Sequence, residues 1–156
     1  MFFLILMVIL FNAIAYFIPK RLTAIEMLTT TLFATFLQII TDTYLDLKYD
    51  LYGYFRIGVD WESLIYIVGI YPAINVIFLN YFPYKSDLHK KIVYIFIWGV
   101  IAMVYETLFI YTGTFYLNGW KQFYSIFTYP VLYVFLMRFH KLTVRMIERS
   151  RRERSD

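Results

Sequence analysis

Five long apolar stretches, separated by short charged or turn-forming breaks, constrain this sequence more than any other feature. Residues 2–18, 22–41, 64–82, 92–112 and 123–139 each reach or approach the roughly 20 apolar residues that a membrane-spanning helix needs. The chain of 156 residues is 61% hydrophobic and 17% charged, and a soluble protein of this length needs more polar surface. The sequence therefore predicts an all-α integral membrane protein, with a bundle of five transmembrane helices in residues 1–140.

Two prolines interrupt these predicted helices near their middles. Pro72 lies in the third stretch, within "IYPAIN", and Pro130 lies in the fifth, within "TYPVLY". A proline inside a helix removes one backbone hydrogen bond and crowds the preceding turn. We therefore expect the third and fifth helices to be kinked at these positions.

The distribution of basic residues predicts the orientation of the bundle. Twelve of the fifteen Lys and Arg residues lie in the first break, the third break and the end of the chain. The other three, Lys48, Arg56 and Lys121, lie in the second and fourth breaks. Because basic residues collect on the cytoplasmic side of a membrane, the N-terminus is expected outside and the C-terminus in the cytoplasm.

The basic tail, residues 141–156, spaces Arg145, Arg149 and Arg152 at helical intervals. Such a cluster beside a membrane is attracted to anionic lipid headgroups. The pI of about 9.2 is explained by this arrangement, and we expect no nucleic-acid partner.

The first apolar stretch has an alternative interpretation as a cleaved signal peptide. Residues 13–15, Ala-Ile-Ala, resemble a cleavage site. However, no basic region precedes the apolar run, and Lys20 and Arg21 follow it instead. This order favours a retained membrane helix.

A polar stripe runs along the second predicted helix. At helical periodicity, one face carries Thr31, Thr35, Gln38, Asp42 and Asp46. The stripe begins in the middle of the helix and continues past its outer end. Gln38, Asp42 and Asp46 are therefore candidates for a polar, proton-binding or ion-binding site, whereas the two threonines suit hydrogen bonds between helices.

The stripe leads into an acidic and aromatic segment, residues 42–60, that is expected to lie at the extracellular membrane interface. Residues 42–55 have the pattern of an amphipathic interfacial helix, with tyrosine rings half buried among lipid headgroups. The aspartates then have two interpretations. They are solvated at the outer end of a helix, or they form a site with a carboxyl group deeper in the bundle.

Glu106 is that deeper carboxyl group. It lies well inside the fourth predicted helix, at a height similar to that of Gln38, and ionisable residues at such depth face protein and often mark function. The alternative is a structural carboxyl group that is hydrogen-bonded to Gln38, Thr35 or a tyrosine hydroxyl. Asn75, near the middle of the third helix, is assigned to helix packing.

Four stretches carry a resemblance to a known family: "PKRLTAIEML", "DLYGYF", "GIYPAINVIFLNYFP" and "WKQFYSIFTYP". Over nearly its whole length the chain resembles a family of small, Tyr- and Phe-rich multipass proteins of spore-forming Bacillota. The resemblance implies a bacterial cytoplasmic membrane location. It implies no particular activity, so it assigns no catalytic residue.

Three classes of function follow from these features. The first is a non-catalytic accessory subunit, sensor or assembly factor, with the lipid bilayer and a homo-oligomer or larger membrane complex as partners. The second is ion- or proton-coupled transport by an oligomer, using the outer aspartates and Glu106. We expect no cofactor and no catalytic residue, and the chain contains no cysteine.

The third class is a magnesium-dependent lipid enzyme of the membrane. Asp42 and Asp46 are four residues apart, which is the spacing that lets two carboxylates hold Mg²⁺ and a diphosphate from one helix face. The chain lacks the Asp-x-x-Asp-Gly motif and a second aspartate-rich motif. The enzyme class is therefore disfavoured, and whether a metal binds stays open.

Overall fold

A computed structural model describes residues 1–58 and 61–154 of the chain. The last two residues of the predicted segment 42–60 and of the predicted tail 141–156 lie outside this described part. The protein is mostly helical, as the sequence predicts. Its five α-helices are α1 (Phe2–Phe17), α2 (Ala24–Asp42), α3 (Tyr71–Tyr81), α4 (Leu88–Tyr111) and α5 (Gln122–Glu153).

A capping box defines the start of α2. The Thr23 hydroxyl accepts a hydrogen bond from the Glu26 backbone N–H at 3.4 Å, and Glu26 Oε2 accepts one from the Thr23 N–H at 3.3 Å. These reciprocal bonds satisfy backbone donors that have no partner inside the helix. Nearby, buried Asn80 of α3 accepts from the Arg21 N–H and donates to the Pro19 carbonyl oxygen. The α1–α2 turn is thus fixed to the end of α3.

A π-helical turn, residues Ile65–Ile70, precedes α3 and ends just before Pro72. Proline has no N–H group and crowds the turn before it, and a widened turn accommodates that crowding. From α1, Asn12 Nδ2 donates to the Gly69 carbonyl oxygen at 2.6 Å. A side chain of α1 therefore provides a hydrogen-bond partner for a backbone carbonyl group in this irregular turn.

Helix α5 continues through Pro130 as far as Glu153, well beyond the predicted fifth stretch. Its proline ring packs against Gly99 of α4, where an added β-carbon would lie 3.3 Å from Pro130 Cγ. Glycine thus permits the two helices to approach closely.

A short antiparallel ribbon closes one end of the helices, and the sequence did not predict it. Strand β1 (Tyr52–Tyr54) pairs with β2 (Phe115–Leu117), so that Gly53 faces Tyr116. The Tyr116 ring lies over Gly53, where a β-carbon would overlap it.

The predicted amphipathic helix over residues 42–55 is wrong in its second half. A π-helical turn, Thr43–Lys48, extends α2, and the chain then turns into β1. The Leu51 carbonyl oxygen accepts backbone hydrogen bonds from residues 118, 119 and 120. These bonds tie Leu51 to a segment that is distant in the sequence, and they replace the hydrogen bonds that a continued helix would form within itself.

The five helices form a ring. Neighbours pack in the order α1, α3, α2, α5 and α4, and aromatic contacts between α4 and α1 close it. Phe3 meets Phe109 with ring centroids 5.4 Å apart, and Phe11 meets Tyr105 at 5.0 Å. The ring encloses a cavity of about 200 Å³ that is lined by all five helices and by the ribbon.

Two helical segments are long and apolar enough to cross a membrane: Ala24–Lys48 and Leu88–Tyr111. Phe2–Phe17 and Ile65–Tyr81 are apolar but shorter. The outer surface of the ring is rich in large apolar side chains; Phe36 of α2, for example, is 63% exposed and Phe127 of α5 is 61% exposed.

Candidate functional site

The cavity inside the helix ring is lined mainly by aromatic side chains and carries no Lys, Arg or His among its described lining residues. Glu106 of α4 is the one carboxyl group in this lining. Gln38 of α2 and Asn75 of α3 border the same space. Gln38 and Glu106, which are predicted at a similar height, thus border the same cavity. Gln38 donates to Asp42 and Tyr54 instead of to Glu106.

Glu106 is 5% exposed, and its two carboxyl oxygens have different surroundings. Oε2 accepts a 2.6 Å hydrogen bond from the hydroxyl of Tyr129 on α5. Oε1 is buried and has no hydrogen-bond partner among the described residues. A buried polar atom without a partner is costly whether the carboxyl group is ionised or protonated. Oε1 is therefore the atom of Glu106 that a further hydrogen-bond donor would satisfy.

The α4–α5 packing positions Tyr129 for this contact. Tyr129 directly precedes Pro130, whose ring lies against Gly99 two turns of α4 before Glu106. The small side chain at position 99 brings the helices close enough for a tyrosine of α5 to reach a carboxyl group of α4. A tyrosine hydroxyl is one of the partners predicted for Glu106, and the structure identifies it as that of Tyr129.

Asp42 lies at the ribbon end of the cavity and is 8% exposed. Its Oδ1 accepts hydrogen bonds from Tyr52 at 2.8 Å and from Gln38 at 2.9 Å, and its Oδ2 accepts one from Tyr54 at 3.3 Å. The interpretation of Asp42 as a solvated residue at a helix end is therefore wrong. Strand β1 brings two tyrosine hydroxyls to the carboxylate, and these replace the water it would otherwise bind.

Tyr52 and Tyr54 are buried rather than half exposed at a membrane interface. Burial, together with the charge of Asp42, raises the pKa of the Tyr52 hydroxyl far above its ordinary value. Burial likewise raises the pKa of Tyr54. Both hydroxyls thus stay protonated and act as donors. The Tyr54 hydroxyl also lies 3.2 Å from the hydroxyl of Tyr71, which continues the polar network into α3.

The two other outer aspartates occupy different environments. Asp46, in the π-helical turn after α2, is buried at 7% exposure, so it also departs from the solvated interpretation. Asp50 adopts a positive φ of 49° in the turn before β1 and accepts a 2.7 Å hydrogen bond from Asn118 Nδ2. The even spacing of the three aspartates therefore does not produce one joint cluster. Asp42 joins the cavity network, and Asp50 fixes the ribbon.

The three residues assigned to helix packing differ in their burial and in their position relative to the cavity. Asn75 is buried on α3 and borders the cavity. Thr31 and Thr35 of α2 are half-buried and do not belong to the described lining of the cavity. Their role in helix packing stays a prediction.

The basic residues of the tail lie on an exposed helical extension. Arg145, Arg149 and Arg152 all belong to α5 and are exposed. Arg149 Nε forms a 2.8 Å ion pair with Glu153. Both side chains are exposed to solvent, where an ion pair contributes little to the free energy of folding. Contact with anionic lipid stays a prediction for these three residues.

A second polar cluster, missed by the sequence analysis, lies at the opposite end from the ribbon. His140 of α5 is 4% exposed; its Nδ1 lies 2.6 Å from the Tyr84 hydroxyl, and its Nε2 lies 3.4 Å from Glu26 Oε2. Burial lowers the pKa of His140, and the Glu26 carboxyl group partly opposes this effect. A neutral ring accepts from Tyr84 and donates to Glu26, which joins α5, the 82–87 turn and α2.

The aromatic members of the cavity were also missed as site residues. Tyr54, Tyr71 and Tyr129 contribute hydroxyls, and Trp98 of α4 also borders the cavity. In a chain with 22% aromatic residues, composition alone does not separate these rings from those that face outward. Within the described residues, no group of three or more His, Asp or Glu side chains is arranged to hold a metal ion.

Together the fold and the site define a class: a mostly helical protein, with two helical segments long and apolar enough to cross a membrane, around an aromatic cavity that is bordered by a buried carboxyl group. Comparison of the chain with known protein families, with curated proteins and with solved structures gives no match. The site is therefore interpreted from its own chemistry.

Proposed function

We propose that this protein is a non-catalytic integral membrane protein whose five helices span the bilayer and whose internal cavity is its working site. An accessory subunit, a sensor or an assembly factor would have this organisation. The observation that carries the proposal is the exposure of large apolar side chains along the outside of α1, α2, α4 and α5. Glu106, Asp42 and Asn75 are buried inside the ring, beside an apolar core.

Exposure of so many large apolar side chains to water is unfavourable, and extended apolar surfaces mark membrane or protein contacts. Lipid favours such a surface, and lipid also explains why the buried polar groups face the bundle interior. The shorter helices are compatible with spanning. Phe2–Phe17 has 16 residues, close to the lower end of roughly 17–25 for a spanning helix, and the ribbon extends the fold beyond the helix ends.

The ends of the bundle support one orientation. The α1–α2 turn, the 82–87 turn and His140 lie together at one end, as the Asn80 and Tyr84 hydrogen bonds indicate. The ribbon lies at the other end. Most basic residues of the chain belong to the first end, so that end is proposed to face the cytoplasm of a bacterial cell.

The absence of cysteine from the chain makes this proposal directly testable. Single cysteines at Ser86, Asn118 and Ser150 would be labelled in intact cells with a membrane-impermeant maleimide. The proposal predicts that N118C is labelled from outside and that S86C and S150C are labelled only after the membrane is opened. Labelling of S86C and N118C from the same side would refute five alternating spans.

Ion- or proton-coupled transport is a second candidate, and the unpaired Oε1 of Glu106 favours it. A carboxyl group that faces a cavity within the bundle is suited to exchange a proton or cation. Asp42 supports this candidate less, because both of its oxygens already accept side-chain hydrogen bonds. In reconstituted vesicles, E106Q would abolish coupled flux if transport were the function.

A further inference from the structure

We propose that the cavity binds a small organic ammonium ion, with Glu106 as its anionic partner and the surrounding aromatic rings as its cage. This inference deepens the proposed function and rests on it, because it assigns a ligand class to the cavity inside the membrane bundle. Four features support this ligand: the unpaired carboxyl oxygen, the charge of the lining, its aromatic character and the size of the cavity.

The first step concerns Oε1 of Glu106. Tyr129 satisfies Oε2, but Oε1 is buried beside the cavity without a partner among the described residues. An ionised carboxylate accepts hydrogen bonds at both oxygens. The missing partner is therefore a donor, and a charged N–H donor gives a stronger bond than a neutral one.

The second step concerns charge. The described lining contains the Glu106 carboxyl group and no basic residue, and Asp42 adds a second carboxyl group one hydrogen bond away through Gln38. A lining with carboxyl groups and no basic residue is complementary to a cation and not to an anion.

The third step concerns the type of cation. Tyr54, Tyr71, Trp98, Tyr129 and Tyr133 all border the cavity. Aromatic faces attract organic ammonium ions through their quadrupoles. Divalent metal ions instead require about six oxygen ligands, and no group of three or more metal-binding side chains is found within the described part of the chain. The lining thus suits a weakly hydrated organic cation.

The fourth step concerns size. The cavity measures about 200 Å³, whereas an engineered protein cavity of about 150 Å³ admits benzene. A primary amine on a single ring, such as benzylammonium, is therefore a suitable probe. It carries N–H donors for the Glu106 carboxyl group and an apolar ring for the aromatic side chains of the lining.

The test is isothermal titration calorimetry on the full chain in lipid nanodiscs, with benzylammonium and with benzyl alcohol as its neutral counterpart. Empty nanodiscs correct for partition into lipid. We expect saturable binding of benzylammonium, at least about tenfold tighter than that of benzyl alcohol. Equal affinity for the two probes, or no saturable binding of benzylammonium, would overturn the proposal.

Two variants assign the binding to Glu106. E106Q should weaken benzylammonium binding by about tenfold or more and leave benzyl alcohol unaffected. The matched control, E26Q, changes a carboxyl group that lies outside the cavity lining and should leave both affinities unchanged. Unchanged benzylammonium affinity in E106Q would refute the proposal. If E106Q fails to fold, the comparison of the two probes on the natural chain still decides the question.

Failure of this inference is distinguishable from failure of the proposed function. If the cysteines at positions 86, 118 and 150 are labelled from the predicted sides but benzylammonium does not bind, the proposed membrane bundle is supported and only the ligand assignment is refuted. Labelling that contradicts five spans would refute the proposed function, whatever the calorimetry shows.

Discussion

The hydroxyl of Tyr129 on α5 donates a 2.6 Å hydrogen bond to Oε2 of Glu106 on α4, and this bond joins the two helices beside the cavity. Glu106 borders the cavity, and its second oxygen, Oε1, is buried without a hydrogen-bond partner among the described residues. The Tyr129 bond thus leaves one oxygen of the carboxyl group for a further donor.

Replacing Tyr129 by phenylalanine removes that donor while keeping the ring. We expect Y129F to lower the free energy of unfolding by about 1–3 kcal/mol, because a buried acceptor loses its partner. Unfolding by SDS titration in mixed micelles would measure this change. The matched control is Y124F on the same helix, whose ring is 43% exposed. A loss in Y124F as large as that in Y129F would contradict the assigned role.

Asp42 and Asp50 provide a matched pair of carboxyl groups. Asp42 accepts bonds from Gln38, Tyr52 and Tyr54 in a buried site, whereas Asp50 accepts one exposed bond from Asn118. The isosteric D42N replaces one acceptor by a donor and is expected to cost roughly 1–3 kcal/mol. D50N should change the free energy of unfolding by no more than about 0.5 kcal/mol. The same SDS titration compares them, and equal effects would count against the buried network.

Gly99 controls the approach of α4 to α5. A leucine at this position would collide with the Pro130 ring, which already lies 3.3 Å from the place of a β-carbon. We expect G99L to lower the free energy of unfolding by about 1–3 kcal/mol through overpacking. The neighbouring variant V100L changes an exposed position and should be nearly neutral. An unaffected G99L protein would show that the two helices are not in close contact.

His140 makes the stability of the non-ribbon end depend on pH. Since burial lowers its pKa below the ordinary value of 6.5, the unfolded chain binds a proton more readily than the folded one. The stabilising contribution is therefore present above pH 6.5 and is lost as the pH falls below it. Glu26 and Tyr84, which face His140, do not reverse this sign.

Unfolding titrations between pH 7.5 and 5 would measure this dependence in the natural chain, in H140F and in H89F. We expect H140F to reduce the loss of stability at low pH. H89F changes the other histidine, which is exposed, and should behave like the natural chain. A pH dependence that survives in H140F would assign the effect to other groups.

Hydropathy predicts the helices well, because long apolar runs leave few alternatives to helix. Four of the five stretches match helical segments within a few residues. The fifth, however, continues to Glu153, because tail residues with polar side chains extend an established helix at little cost. Pattern analysis also places Gln38 and Glu106 at one height, and both line the same cavity.

Hydropathy and helical periodicity could not predict the ribbon or the burial of Asp42. Three-residue strands have too little alternation to detect, and β1 pairs with a segment more than 60 residues later. Asp42 is buried only because that pairing delivers Tyr52 and Tyr54. The Tyr129 contact likewise depends on the α4–α5 approach at Gly99, which no local pattern specifies.

The most direct test of the account is an infrared difference spectrum of the protein in lipid, with and without benzylammonium. We expect benzylammonium to change a carboxyl band of the natural chain. This change should be absent in E106Q, and benzyl alcohol should not produce it. E26Q should retain the band, because Glu26 lies outside the cavity lining. An identical difference spectrum in E106Q and in the natural chain would contradict Glu106 as the binding group.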